Sequence, residues 1–393
     1  MRSPGARIGN PPNLEKTLGS IHSVRFWNIP ASQEDKPEKS SRGQIVSACY
    51  RDGRLWVQAL FGQMPTVSSA GFYGVDLKTF STQQVEYHGE GYSFTLEMAR
   101  GMVMRNRREF DVDSNYLYLC MKDSVGRYSF QKQTWEQFSP AGDGKPQRLG
   151  QRLFFTSSNS ILECLPDGTL QLVASCRRRP ALNALDYLDD YASCHLFVDG
   201  KGRLNVYAGH ELYALSGTND WKRYASLPMR DDAAAQLFDD GFITENHDWW
   251  GMFGPCLKPE LLFRTPTQPS PRYAPPAKTQ APRWPAPPPA REACLDGDCV
   301  WFLVDSSRPI PGAPGSSQAE DLSLVRFKYD ETNAVRIALD LSQPQSAAGP
   351  RQWTLATTPE GFIATQTAVP GFWFIPRDEL NRAVAEANQP ARH

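Results

Sequence analysis

Residues 109–138 read EFDVDSNYLYLCMKDSVGRYSFQKQTWEQF, and the punctuation of this stretch decides the fold. Short runs dense in aromatic and β-branched residues alternate with Asp, Ser, Asn and Gly, the pattern of a small antiparallel sheet with tight reversals. The core of the phrase, an apolar strand, a polar turn and a second apolar strand, recurs along the chain. Copies stand at 48–60 (ACYRDGRLWVQAL), 109–121, 146–158, 195–209, 236–246, 293–305 and 353–366, which makes seven.

A third run follows each copy, as in GFYGVDL (71–77), GRYSFQ (126–131) and GFWFIP (371–376), and a fourth follows in most, as in QQVEYH (83–88), WEQF (135–138) and LQLVAS (170–175). Four short antiparallel strands returning at intervals of roughly 35 to 60 residues are the spacing of a β-propeller blade with loop insertions. Asp-Gly pairs at 52–53, 167–168, 199–200, 240–241 and 296–297 supply the positive φ that two-residue reversals require. Helical periodicity is confined to Arg377–Ala387, after Pro376. The seventh copy lacks a fourth strand, while IHSVRFWNI (21–29) is a strand without a blade. The expected architecture is therefore an all-β, seven-bladed propeller in which Val24–Ile29 lies beside Gly371–Ile375 and closes the ring. Residues 1–20 are expected as an N-terminal extension, 21–376 as the propeller and 377–393 as a helical tail.

The segments VDLKTFSTQQV, SFQKQTWEQF and ALSGTNDWKRY resemble quinoprotein-like and regulator-propeller repeats, in which a strand ending in Asp is followed by a turn and a Trp or apolar strand. The resemblance covers most of the chain and implies a propeller fold. The GH and WD pairs of WD40 repeats and the paired glycines of kelch repeats are missing, and no blade carries a quinoprotein docking motif. No family's catalytic residues are carried over, because a fold alone does not identify a function.

Composition narrows the classes. With 40% apolar and 22% charged residues in 393, the chain is able to bury a core. A formal net charge of −1 gives no global field to recruit nucleic acid or an anionic membrane. No apolar run reaches the length of a membrane span and the N-terminus does not read as a secretory signal, so the expected location is cytoplasmic, or secreted or periplasmic if a signal was removed. The six histidines and eight cysteines show no zinc spacing, and no P-loop, GxSxG elbow or GxGxxG after a strand occurs, so no metal or cofactor is expected. Only Cys294 and Cys299 are closely spaced, and they read as two reduced strand thiols or as a disulfide across a hairpin.

The connections between strands one and two and between three and four are short. Nearly every insertion (30–43, 61–70, 88–108, 174–193, 265–292, 306–321 and 341–350) falls on the opposite face, which nominates that face for binding. Arg100, Arg105, Arg107 and Arg108 occupy one of these loops, and Arg177, Arg178 and Arg179 another. Together they would form a rim for carboxylate or phosphate groups; alternatively they are solvated basic turns offset by Asp186, Asp189 and Asp190. On the same face, His247 beside Asp248 offers proton transfer and Trp249 with Trp250 offers stacking, or the group is a structural turn. The proline-rich segment 265–292 must be extended, either as a spacer or as a ligand for an aromatic groove.

Two functions compete. One is a non-enzymatic propeller that binds a protein partner or a small anionic ligand on the loop-rich face. The other is a hydrolase or lyase acting on a sugar or polyanion in the central depression, which carboxylates gathered at one end of the channel would favour.

Overall fold

A computed structural model describes residues 16–21, 23–30, 44–63, 66–87, 110–120, 125–139, 145–149, 151–156, 160–175, 195–198, 203–208, 211–215, 221–226, 236–237, 243–245, 248–251, 260–264, 283–284, 290–305, 322–331, 334–340, 353–366 and 369–387. Two strands, β1 (Lys16–Ile21) and β2 (Arg25–Asn28), precede seven small sheets. The first sheet is β3 (Gln44–Arg51), β4 (Arg54–Gln63), β5 (Thr66–Asp76) and β6 (Thr82–Tyr87), and the second is β7 (Phe110–Val112), β8 (Tyr116–Cys120), β9 (Val125–Ser129) and β10 (Thr134–Ser139). The third comprises β11 (Lys145–Leu149), β12 (Arg152–Thr156), β13 (Ser160–Cys164) and β14 (Leu170–Ser175). The fourth comprises β15 (His195–Val198), β16 (Leu204–Ala208), β17 (Glu211–Leu215) and β18 (Trp221–Ser226). The fifth and slightest is β19 (Gln236–Leu237), β20 (Ile243–Glu245), β21 (Asp248–Gly251) and β22 (Glu260–Arg264). The sixth contains β23 (Ala290–Asp296), β24 (Cys299–Asp305), β25 (Leu322–Lys328) and β26 (Val335–Leu339). The seventh takes β27 (Trp353–Thr358), β28 (Gly361–Gln366) and β29 (Gly371–Pro376) from the end of the chain and β2 from its beginning. Among the described residues one helix, α1 (Arg377–Ala387), follows.

The local chemistry of the turns repeats as the strands do. Asp52 and Gly53 both have positive φ, 48° and 77°, which reverses β3 into β4 within two residues. Between β5 and β6, Asp76 Oδ1 accepts the backbone N–H groups of Lys78 and Thr79, and Phe80 adopts φ 59°. Between β9 and β10, Ser129 Oγ accepts the N–H of Lys132 and Gln133 adopts φ 57°. Two unlike sequences thus build the same turn, because an acceptor side chain closes it and the fourth residue onward enters the left-handed region.

Strands buried on both faces explain the near-continuous apolar runs. In the first sheet Leu55 and Val57 pack with Trp27, Phe372 and Phe374 of the seventh, whereas Trp56, between them, packs with Phe110 and Leu117 of the second. The pattern continues with Tyr118 and Val125 against Leu153 and Phe155, and with Phe154 and Ile161 against Leu196 and Val206. Trp301 and Leu303 likewise meet Phe362 and Trp373. Each such side chain contributes about 1.5–3 kcal/mol by leaving water, so the sheet-to-sheet seams are the core. Close packing also dictates Gly74, where a Cβ would stand 2.7 Å from the Trp56 ring.

The N-terminus is tied down twice. β2 pairs antiparallel with β29, Arg25 opposite Phe374 and Asn28 opposite Gly371. Arg25 also donates to the carbonyl oxygens of Leu77 and Lys78 and lies over the Phe80 and Phe374 rings, while Trp27 Nε1 donates to Thr82 Oγ1 at 3.2 Å. β1 pairs in parallel with β26 as a fifth strand of the sixth sheet. The helix begins with Asp378 and Glu379 at its positive end and sets Leu380, Ala383 and Val384, one helical face, against the core that includes Ile21.

Several expectations are corrected. The extension at 1–20 contains part of β1, and the single strand expected over 21–29 is two strands belonging to different sheets. KTLGSI escapes sequence reading because an edge strand under a helix needs little alternation. The insertion expected at 61–70 is largely paired strand, with Phe61 opposite Ser69 and Gln63 opposite Thr66; Gly62 reads as loop punctuation, but it pairs with Val67 near the hairpin end. β23 begins at Ala290, inside the expected 265–292 loop. Within that loop Trp284 is 3% exposed, packed on Phe302 and Phe327, and its Nε1 donates to the Glu331 carbonyl at 3.3 Å. Arg283 stacks on Tyr329 with 3.6 Å from guanidinium carbon to ring centroid, so the segment is anchored at this point rather than a plain spacer. Cys294 and Cys299 are not joined in a disulfide: Cys299 pairs across the hairpin with Asp296 and Cys294 with Trp301, which leaves the cysteines diagonal to one another. The Asp-Gly pairs at 199–200 and 240–241 lie outside the described residues.

Candidate functional site

Arg105, Arg107, Arg108, Arg177, Arg178, Arg179 and His247 lie outside the described residues. Asp248, Trp249 and Trp250 belong to β21, where Asp248 pairs with Glu245, Trp249 with Thr244 and Phe263, and Trp250 with Ile243 and Leu261. Both tryptophans are strand residues, consistent with their β propensity, and only residues 246 and 247 separate β20 from β21.

The charged groups that the described structure does bring together sit elsewhere, where the first strands of neighbouring sheets end and turn into the second. Asp111 of β7, its side chain fully buried, receives Arg51 Nη2 of the first sheet at 3.0 Å and Arg148 Nε of the third at 3.1 Å. Arg148 Nη2 also reaches Asp113 at 2.9 Å. Burial opposes the charge on Arg148, but the Asp111 and Asp113 carboxylates outweigh it and hold the guanidinium above its ordinary pKa. Further round, Arg377 makes a bidentate pair with Asp296, at 2.6 and 3.1 Å, and donates to Thr357 Oγ1 and the carbonyl oxygens of Thr358 and Pro359. Tyr50 donates its hydroxyl to Glu360 Oε1. Burial first, then the Glu360 contact, pushes that hydroxyl above its usual pKa, so it stays a donor at neutral pH.

These contacts form a polar belt from the sixth sheet through the seventh and first to the third. Each member is an element-to-element staple: three sheets share Asp111, and Arg377 joins the sixth sheet to the seventh at the start of α1. Asp111, Asp113, Asp296 and Glu360 gather at the same end of the first strands, yet Asp111, Asp113 and Asp296 already carry arginine partners. Of these four carboxyl groups, Glu360 alone has an oxygen, Oε2, that is buried without a hydrogen-bond partner. No group of three or more His, Cys, Asp or Glu suited to a metal occurs among the described residues. A sequence signal for the belt exists in the form of Arg51, Asp111, Arg148 and Asp296, each a charged residue in the last turnward positions of a first strand. It names no partners, since Asp111 lies 60 and 37 positions from its two arginines and Asp296 lies 81 from Arg377.

The described sheets define a propeller-like β fold. No family model and no curated protein matches the chain. Among solved structures it is similar to the extracellular domain of a hybrid two-component system from B. thetaiotaomicron, with 13% identity over 89% of this chain and 39% of that one, at TM-score 0.47. It is also similar to a puromycin-hydrolysing peptidase of Mycobacterium tuberculosis, with 11% identity, 92% and 56% coverage and TM-score 0.42. A chain of a mitotic checkpoint complex gives 12% identity, 96% and 97% coverage and TM-score 0.42. The chain therefore spans less than two thirds of the first two, and at these scores nothing about its function follows from them. No helix among the described residues is long and apolar enough to cross a membrane.

Proposed function

We propose that the chain is a seven-bladed β-propeller, its ring closed by β2, and that it works as a non-enzymatic module binding a protein partner or small anionic ligand on its loop-rich face. The observation that carries this reading is that the converging ionisable groups are spent on one another. Asp111 is fully buried with one carboxylate oxygen on Arg51 and the other on Arg148, so it presents no free oxygen to a substrate. The belt accordingly supports a rigid scaffold, and the opposite face, with the insertions bearing Arg105, Arg107, Arg177 and Arg179, is where recognition belongs. The test is retention of partners from native extract by the wild type and by a variant with these four arginines replaced by Ala. Loss of a partner supports the reading, and an identical set of partners overturns the basic rim.

The second reading is a hydrolase or lyase for a sugar or polyanion. It is favoured by four acidic side chains at one end of the first strands. Chain shortening of a polyuronate, abolished in Asp113→Asn and Glu360→Gln while folding is retained, would establish it.

A further inference from the structure

Trp301 of β24 and Arg326 of β25 stand directly opposite each other in the antiparallel register of the sixth sheet. Their side chains leave the same face with Cβ atoms about 5 Å apart. That face meets the seventh sheet, where the Trp301 ring packs on Phe362 with centroids 5.1 Å apart. Trp301 is 4% exposed and the Arg326 side chain 11%. Arg326 Nη2 is satisfied by Glu331 Oε2 at 2.7 Å. Trp301 Nε1 and Arg326 Nε are both buried and have no hydrogen-bond partner.

Both atoms are N–H donors that cannot accept. Buried donors left unmade are costly, and folded proteins resolve them with an acceptor. A water placed between them would accept both bonds and still have two hydrogens to place. The acceptor that Arg326 does reach, the Glu331 carboxylate, is already committed to its Nη2. An ion that only accepts fits the pair better. Asp298 and Asp330, around the nearby turns, are 60% and 67% exposed and screened by solvent, which leaves Glu331 as the carboxylate that offsets the Arg326 guanidinium through Nη2 while Nε stays unmatched.

We infer that Trp301 Nε1 and Arg326 Nε hold a small monovalent anion of chloride size in the seam between the sixth and seventh sheets. The ion would tie the two sheets together beside the Arg377–Asp296 pair. This site is independent of the loop-rich face and of whatever binds there.

The test uses the full chain in sodium bromide or in sodium methanesulfonate at equal ionic strength. In crystals grown with bromide, an anomalous peak is expected within hydrogen-bonding distance of both nitrogens. Bromide should raise Tm by about 2 °C relative to methanesulfonate. Trp301→Phe, which keeps an aromatic ring and removes the N–H, should abolish that difference. Density without anomalous signal, meaning a water, overturns the inference, as does bromide found only at the surface or an equal bromide effect in Trp301→Phe. The wild-type crystal decides the matter even if the variant fails to fold.

Discussion

Replacing Asp111 by Ala removes one carboxylate from between three sheets. In the native protein that group is fully buried and carries Arg51 at 3.0 Å and Arg148 at 3.1 Å. Without it, Arg148, 12% exposed, keeps only Asp113, and Arg51, 22% exposed, keeps the carbonyl oxygens of Tyr50 and Arg148. Breaking a buried pair by deleting one partner costs about 3–5 kcal/mol, since a charge remains without compensation. Arg51 regains part of its hydration, which places the expected loss near the lower end, about 3 kcal/mol. That is a large fraction of a total stability of about 5–15 kcal/mol. Urea unfolding followed by tryptophan fluorescence reads it as a lowered midpoint at unchanged slope. Asp111→Ala combined with Arg148→Ala should lose less than the two single losses added together, because the second deletion removes the charge that the first one stranded. A loss below about 0.5 kcal/mol, the range of ordinary surface changes, or strict additivity of the two, would refute the assignment of Asp111 as the shared staple.

Three further outcomes are expected. Gly371→Ala should detach β2, because a Cβ there would lie 2.1 Å from the backbone oxygen of Trp27; amide exchange over 25–28 should rise sharply, and unchanged protection would contradict the close approach. Cys294 and Cys299 should resist alkylation in the folded protein and both react on unfolding without reductant, since they are buried thiols and burial, then Asp298, pushes the Cys299 thiol up to about 12; recovery of a disulfide-linked peptide would contradict the register. Glu163 is held below its ordinary carboxyl pKa by its hydrogen bond from Arg152, against the effect of burial. The unfolded chain therefore takes up this proton first, and the pair's contribution is present at neutral pH and fades as pH falls below 4.5. Because Arg152 is 42% exposed, Glu163→Gln should cost less than about 1 kcal/mol at pH 7 and nothing in acid, measured as a difference in unfolding midpoints across pH.

Much of the fold was legible because its determinants are local. The Asp52-Gly53 reversal, the Asp76 and Ser129 turns and the alternation of Leu55, Trp56 and Val57 between two seams each act within a few residues. The orphan strand around Phe26 and the missing fourth strand after Phe374 pointed to each other because both were otherwise unexplained. What stayed hidden depends on distant partners. The parallel docking of β1 on β26, the anchoring of Trp284 on the sixth sheet and the sharing of Asp111 by Arg51 and Arg148 join residues far apart in sequence. A single sequence carries no pairing information at that range. The basic rim of Arg105, Arg107, Arg108 and Arg177–Arg179 rests on charge density alone, and those residues lie outside the described ones.

The central claim is that the small sheets surround one axis, with the start of the chain completing the last of them. A crystal structure of the wild-type chain tests this directly. The expected result is seven radial sheets with Arg25–Asn28 antiparallel to Gly371–Phe374. Two stacked sheets, another number of radial sheets, or a free edge on β29 would contradict it.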